Sequence, residues 1–158
     1  MFFLLHQAVL SITPGLSGFH PSSTADATES CTCRYCNIDA LPDEFVSTVN
    51  KYNPYLLELD LTSNQLTNLP PDLHQLKCLR ALRVKYNRLP DFPAVCFRLE
   101  RCMTLDLAGN QIEAIPDDVV CLRALRELDV SGNRISTCTG QRLMRSPSSA
   151  VTMSCPVQ

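Results

Sequence analysis

Tryptophan is absent from the 158 residues, glycine occurs five times and histidine three times. Each shortage closes a class of chemistry. The few glycines form no phosphate-cradling loop of the kind nucleotide enzymes use. His6 and His20 lie in the N-terminal leader and His74 stands alone, so no Ser or Cys has a base near it in sequence. No catalytic constellation is visible, and the chain does not read as an enzyme. Basic charge is not in excess: 14 Lys and Arg face 16 Asp and Glu, a net charge of −2. That balance argues against nucleic acid as a partner. No apolar run reaches the roughly 18 residues that a helix needs to cross a bilayer. Asn-x-Ser/Thr glycosylation sites are missing too, which favours the cytoplasm over secretion.

What the chain does have is a period. Asn64, Asn87, Asn110 and Asn133 recur every 23 residues, each inside the same apolar frame. The copies begin at Leu56, Leu79, Cys102 and Leu125, continue through Leu59, Leu82, Leu105 and Leu128, and reach Leu61, Val84, Leu107 and Val130 before the asparagine. Leu66, Leu89, Ile112 and Ile135 follow it. A period between about 20 and 50 residues marks a solenoid, in which each unit buries its apolar face only against its neighbours. The alternating apolar triplet predicts a short strand, and successive strands pair in parallel at about 4.8 Å. An asparagine amide donates and accepts, so it suits a buried turn. Leu69-Pro70, Phe92-Pro93 and Ile115-Pro116 end the strand side, because proline cannot extend a ladder. Apolar pairs three apart then follow, as in Leu73 and Leu76, a spacing that suits a single helical or 3-10 turn.

Four segments result. Residues 1–30 are an apolar leader and a flexible Ser/Thr/Pro/Gly linker. The leader reads either as a weakly structured start or as a secretory signal, although no basic residue precedes its apolar core. Residues 31–55 are a divergent first repeat or cap, with Cys36 at the asparagine position, Ile38 after it, and about five extra residues placed at the turn-rich stretch 50–54. Residues 56–136 are the four regular repeats, the fourth incomplete. Residues 137–158 keep no recognisable period and are expected to be disordered. A solenoid needs a polar cover at its open end. Either residues 142–144 fold back to provide one, or the chain belongs to a longer array, and the fading fourth repeat favours the second.

This frame resembles the leucine-rich repeat family, and the Leu-Pro element after the asparagine resembles its intracellular, Ras-group-related subclass. The resemblance covers Leu56 to Ile135 strongly and Cys36 to Tyr55 weakly. It implies an α/β fold: a curved leucine-rich-repeat solenoid with a concave parallel sheet and short helical or 3-10 segments on the convex side. It also implies a scaffold or adaptor in signal transduction that binds a protein partner, with no cofactor. A secreted recognition module, or a fragment of a larger receptor or multidomain enzyme, is the alternative. Extracellular members carry cysteine-bonded caps, and nothing after Asn133 resembles the C-terminal one.

Strand side chains alternate faces, so the residues between the apolar positions form the concave surface. Asp60, Asp106 and Asp129 fall there on the first, third and fourth strands. Arg83 and Lys85 occupy the second, with Tyr86 beside them. Tyr and Arg dominate binding energy at interfaces, so Arg83, Lys85 and Tyr86 are the expected centre of a contact patch. The plainer reading pairs Arg83 with Asp60 and Asp106 across neighbouring strands, worth at most about 1 kcal/mol. Leu57 and Met103 share a repeat position with Arg80 and Arg126, where packing against neighbouring loops is expected.

The nine cysteines are many for this length. Cys96, Cys102 and Cys138 fall at core positions, where a thiol serves as a small hydrophobe, whereas Cys78 and Cys121 do not. Cys31, Cys33 and Cys36 are read as free thiols, with a local disulfide or a metal as alternatives. Structural zinc wants four ligands in two pairs, so no metal is expected. The chain ends Cys155-Pro156-Val157-Gln158, a pattern compatible with prenylation and weak membrane attachment. The intact mass of the protein isolated from cells decides between the two terminal readings. A prenyl adduct on Cys155 with Met1 retained establishes a cytoplasmic lipid anchor, while loss of the first 17 to 30 residues establishes secretion.

Overall fold

The structure is a computed structural model that describes residues 30–138 and 150–152. Strand β1 (Ser30–Thr32) leads to helix α1 (Phe45–Tyr52) and strand β2 (Glu58–Asp60). A 3-10 turn over Leu73–Gln75 precedes β3 (Ala81–Arg83), and another over Ala94–Arg98 precedes β4 (Thr104–Asp106). The short β5 (Ala114–Ile115) and a third 3-10 turn (Asp117–Cys121) lead to β6 (Glu127–Asp129). Strands β7 (Thr137–Cys138) and β8 (Ala150–Thr152) follow.

All pairings are parallel. The larger sheet has the order β1-β2-β3-β4-β6-β8, and β5 pairs with β7 in a second, two-stranded sheet. The register sets like against like: Leu59, Leu82, Leu105 and Leu128 form one row, each 0% exposed. The ladder runs on through Leu61, whose N–H donates to Arg83 O at 2.8 Å, and Ser63, which donates to Lys85 O at 2.8 Å. Behind the sheet, the buried Leu66, Leu73, Leu89, Cys96, Ile112 and Val119 close the core against the convex turns. Sequence and structure agree here: an α/β leucine-rich-repeat solenoid with a parallel sheet and short convex segments.

The asparagine column fastens each turn to the one before. Asn87 Nδ2 donates to Val84 O in its own turn and to Leu61 O in the preceding repeat, both at 3.0 Å. Its Oδ1 accepts from Leu66 N at 3.0 Å. Asn110 repeats this with Leu107 O, Val84 O and Leu89 N, and Asn133 with Val130 O, Leu107 O and Ile112 N. Asn64 reaches into the first unit, donating to Cys33 O at 2.7 Å and accepting from Cys36 N and Ile38 N. The thiol at Cys36 is thereby explained. The backbone around it is satisfied by Asn64, whose Oδ1 accepts from the amides on either side of the bend.

Two features differ from the sequence expectation. The stretch 50–54, read as an inserted turn, lies largely in α1, which ends at Tyr52. The extra length is spent on two turns of α-helix in place of a single 3-10 turn, and Phe45, Val46 and Val49 bury its inner face. The 28-residue offset from β1 to β2 is as read, since Cys31 pairs with Leu59. The segment 137–158, expected to be irregular, contains β7 and β8. Ala150 pairs with Glu127 and Val151 with Leu128, so the 23-residue step continues once more. An edge strand presents unpaired backbone groups to any segment of extended chain, and pairing of this kind needs few apolar side chains.

Among the described cysteines, Cys31, Cys33, Cys96 and Cys102 are buried and unpaired, and Cys121 is exposed. Burial pushes the Cys102 thiol up to about 11 and raises Cys96 further. These thiols therefore act as core hydrophobes, as read for Cys96 and Cys102. The side chain of Cys138 lies outside the described residues.

Because Asn87 serves two carbonyls and one amide in buried positions, Asn87→Ala is expected to cost about 2–4 kcal/mol. A urea midpoint compared with wild type measures it. A change below about 0.5 kcal/mol would contradict the clamp.

A candidate protein-binding face

The concave side chains of β2, β3, β4 and β6 stand in rows set by the register, with Asp60 beside Arg83, Arg83 beside Asp106 and Asp106 beside Asp129. The contacts within those rows divide the expected patch into two groups.

Asp60 is already committed. Arg34, from the first unit, donates its Nε to Asp60 Oδ2 at 2.7 Å, and the Asp60 side chain is 4% exposed. The other oxygen accepts from Thr62 N at 3.0 Å. Burial works against the charge on Asp60, but the bonds from Arg34 and Thr62 outweigh it and hold the pKa below its ordinary value. Arg83 does not pair with Asp60 or Asp106. Its guanidinium reaches Glu58 Oε2 at 3.1 Å, on the neighbouring strand and one step toward its start. The reason is competition: Arg34 already occupies Asp60, while Glu58 is half exposed and unpaired otherwise.

Asp106 and Asp129 are differently placed. Each spends one oxygen on its own turn, Asp106 Oδ1 accepting from Ala108 N at 3.1 Å and Asp129 Oδ1 from Ser131 N at 2.9 Å. Burial pushes the Asp106 pKa up, the neighbouring charge of Asp129 adds to that, and the Ala108 bond with Lys85 and Arg83 pulls back. The second oxygen of each has no hydrogen bond from the described residues. The turn role of the three aspartates was legible. Asp recurs at one repeat position in three of four copies, and Asp favours a local bond to the amide two residues on.

Lys85 and Tyr86 form the rest. Lys85 Nζ lies 5.0 Å from the Tyr86 ring centroid, a cation–π distance. Tyr86 is 56% exposed and holds the left-handed conformation at φ 55°. The same repeat position is Gly109 in the next copy, at φ +64°, and a Cβ there would overlap the Tyr86 ring. The ring therefore lies on a bare glycine backbone, fixed by a residue that the sequence reading did not single out. The signal was present in the change from Ser63 and Tyr86 to Gly109 and Gly132 at one position of the period. Cys155 and the leader lie outside the described residues. No metal-holding group of three or more His, Cys, Asp or Glu occurs among the described residues, and no helix among them is long and apolar enough to cross a membrane.

The asparagine-clamped parallel repeats define the class: the chain is a leucine-rich repeat protein. Two leucine-rich repeat profiles match, one over residues 79–135 and one over residues 52–69. Among curated proteins, dynein regulatory complex subunit 7 of Chlamydomonas reinhardtii is 51% identical over 55 residues, which is 35% of this chain and 5% of that protein. Among solved structures, a leucine-rich repeat protein of Leptospira interrogans superposes with a TM-score of 0.62 at 30% identity, covering 73% of this chain and 29% of that one. The chain thus spans a small part of either relative.

The two aspartates with shifted pKa values respond to charge removal in opposite directions. Asp60→Asn keeps the turn bond but loses the attraction of Arg34, so stability at about pH 7 falls by about 1 kcal/mol. The Asp60 contribution is present above its ordinary pKa and is lost as pH falls through its lower folded value. Asp106 has a raised folded pKa, so its charge is a cost at neutral pH that disappears as pH falls through that value. Asp106→Asn should leave stability at about pH 7 unchanged or raise it by up to about 0.5 kcal/mol. Melting temperatures at neutral and acid pH check both, and shifts of the same sign at neutral pH would contradict this electrostatic picture.

Proposed function

We propose that this chain is a non-catalytic adaptor that holds a protein partner on its concave sheet. Arg83, Lys85 and Tyr86 make the principal contacts, and Asp106 and Asp129 receive donors from the partner. The observation that carries this reading is the bonding capacity on one face: an exposed tyrosine beside a half-buried lysine, and two carboxylates each with one oxygen that takes no hydrogen bond from the described residues. Asp60 drops out of the contact set as a partner-binding residue, because Arg34 and Thr62 occupy it. A face already ordered before binding loses little entropy on association.

Leucine-rich repeat proteins typically act as protein-binding modules, which supports the absence of catalysis in this reading. Likeness to a subunit of a dynein regulatory complex supports a scaffold within a cytoplasmic assembly. The unpaired Cys31, Cys33 and Cys36 agree with a reducing compartment. The partner is read as protein and not nucleic acid, since acidic residues share the face with the basic ones. The intracellular, Ras-group-related subclass remains the subclass we infer from the Leu-Pro element.

Affinity capture from native lysate tests the reading, with wild type compared against Arg83→Glu/Tyr86→Ala after circular dichroism shows that both fold. A partner retained by wild type and reduced at least about tenfold by the variant is the expected result. Equal recovery by the two proteins would remove the concave face from the account.

A further inference from the structure

A second charged surface lies away from the concave face. Arg80 N donates to Leu57 O, Met103 N to Arg80 O and Arg126 N to Met103 O, at 2.7, 2.7 and 2.8 Å. This backbone ladder stacks Leu57, Arg80, Met103 and Arg126 in one column just before the strands. Beside that column, Arg101 and Arg123 come up from the convex turns. The four arginines and Met103 line a shallow groove of about 890 Å³. Arg80, Arg101, Arg123 and Arg126 are all exposed, and none has a side-chain hydrogen bond or ion pair among the described residues. Glu100 is the single acidic lining residue, and it lies beyond ion-pair distance of all four. Met103 is half-buried and belongs to this groove, whereas Leu57 does not line it. A chain with net charge −2 thus concentrates on one flank four guanidinium groups that have no ion-pair partner among the described residues.

We infer that this flank is a second docking surface, for an extended acidic segment of a partner protein. Guanidinium groups hold carboxylates in paired bonds, and Met103 offers an adaptable apolar contact between them. Arg80 and Arg126 are two strand spacings apart, about 10 Å. Carboxylates three residues apart on a polyproline-II-like segment lie about 9 Å apart on one side, which matches. A nucleic acid fits poorly, because the groove has no aromatic side chain for base stacking. A membrane fits poorly as well, since Met103 is its one large apolar side chain not buried in the core. This inference does not rest on the concave-face reading.

The test is fluorescence anisotropy of a labelled peptide with glutamate at every third residue, titrated with the full chain at low and physiological salt. Wild type binds, and Arg80→Glu/Arg126→Glu weakens binding at least about tenfold while circular dichroism is unchanged. Arg83→Glu, on the concave face, leaves affinity within about twofold, and added salt weakens wild-type binding. Should the double reversal fail to fold, Arg80→Gln/Arg126→Gln is expected to give a several-fold loss. No binding by wild type overturns the inference, as does an equal loss in the flank and concave variants. So does tighter binding of a labelled oligothymidine or of anionic phosphatidylserine vesicles with the same dependence on Arg80 and Arg126.

Discussion

One side-chain amide, used four times, holds the stack together. Each of Asn64, Asn87, Asn110 and Asn133 bonds its own turn and the turn before it. A parallel sheet of three-residue strands leaves a buried bend in every repeat, and the backbone groups there have no helix or ladder to satisfy them. Left unpaired, each would cost about 1–3 kcal/mol. Aspartate lacks the amide donors that reach both carbonyls. The frame of apolar residues decides that the chain stacks, and the asparagine decides at what register.

That register then determines the concave face. Because Leu59, Leu82, Leu105 and Leu128 lie in one row, the residues beside them are forced into rows as well. Asp60, Arg83, Asp106 and Asp129 become neighbours through backbone pairing, whatever their charges prefer. The charges adjust within that constraint: Asp60 takes Arg34, Arg83 takes Glu58, and Asp106 bears the field of Asp129. Among the described residues, two carboxylates keep one oxygen each without a hydrogen bond, and Tyr86 is left exposed. Spare capacity on a rigid face is what a recognition module presents to a partner, and the flank arginines present it a second time with one sign of charge.

Much of this was legible beforehand because the period is strong. The strand positions, the core row, the convex turns and the asparagine role all follow from four copies in register. What escaped the reading depended on contacts between residues with no shared spacing. Arg34 reaches Asp60 across a 28-residue offset that breaks the period, so Arg83 looked like the natural partner of Asp60. Gly109 supports Tyr86 through the absence of a side chain, which no pattern of residue types displays unless adjacent copies are compared. Strand β8 keeps Val151 at the position of Leu128 but has Ser148 where Leu125 stood, too little apolar signal to separate from chance. Helix α1 replaced an expected turn because Asn50 and Asn53 are turn formers by type, while Val46 and Val49 bury the helix by position.

The central claim is that the asparagine column couples each repeat to its predecessor. Native-state hydrogen exchange of the Leu66, Leu89 and Ile112 amides tests it most directly, since each donates to an asparagine Oδ1 of the following repeat. The account predicts that all three exchange slowly, with protection approaching that of the strand amides at Leu61 and Val84. Exchange at the rate of exposed loop amides, with the strands still protected, would show that the turns open independently and that the column does not bind the stack.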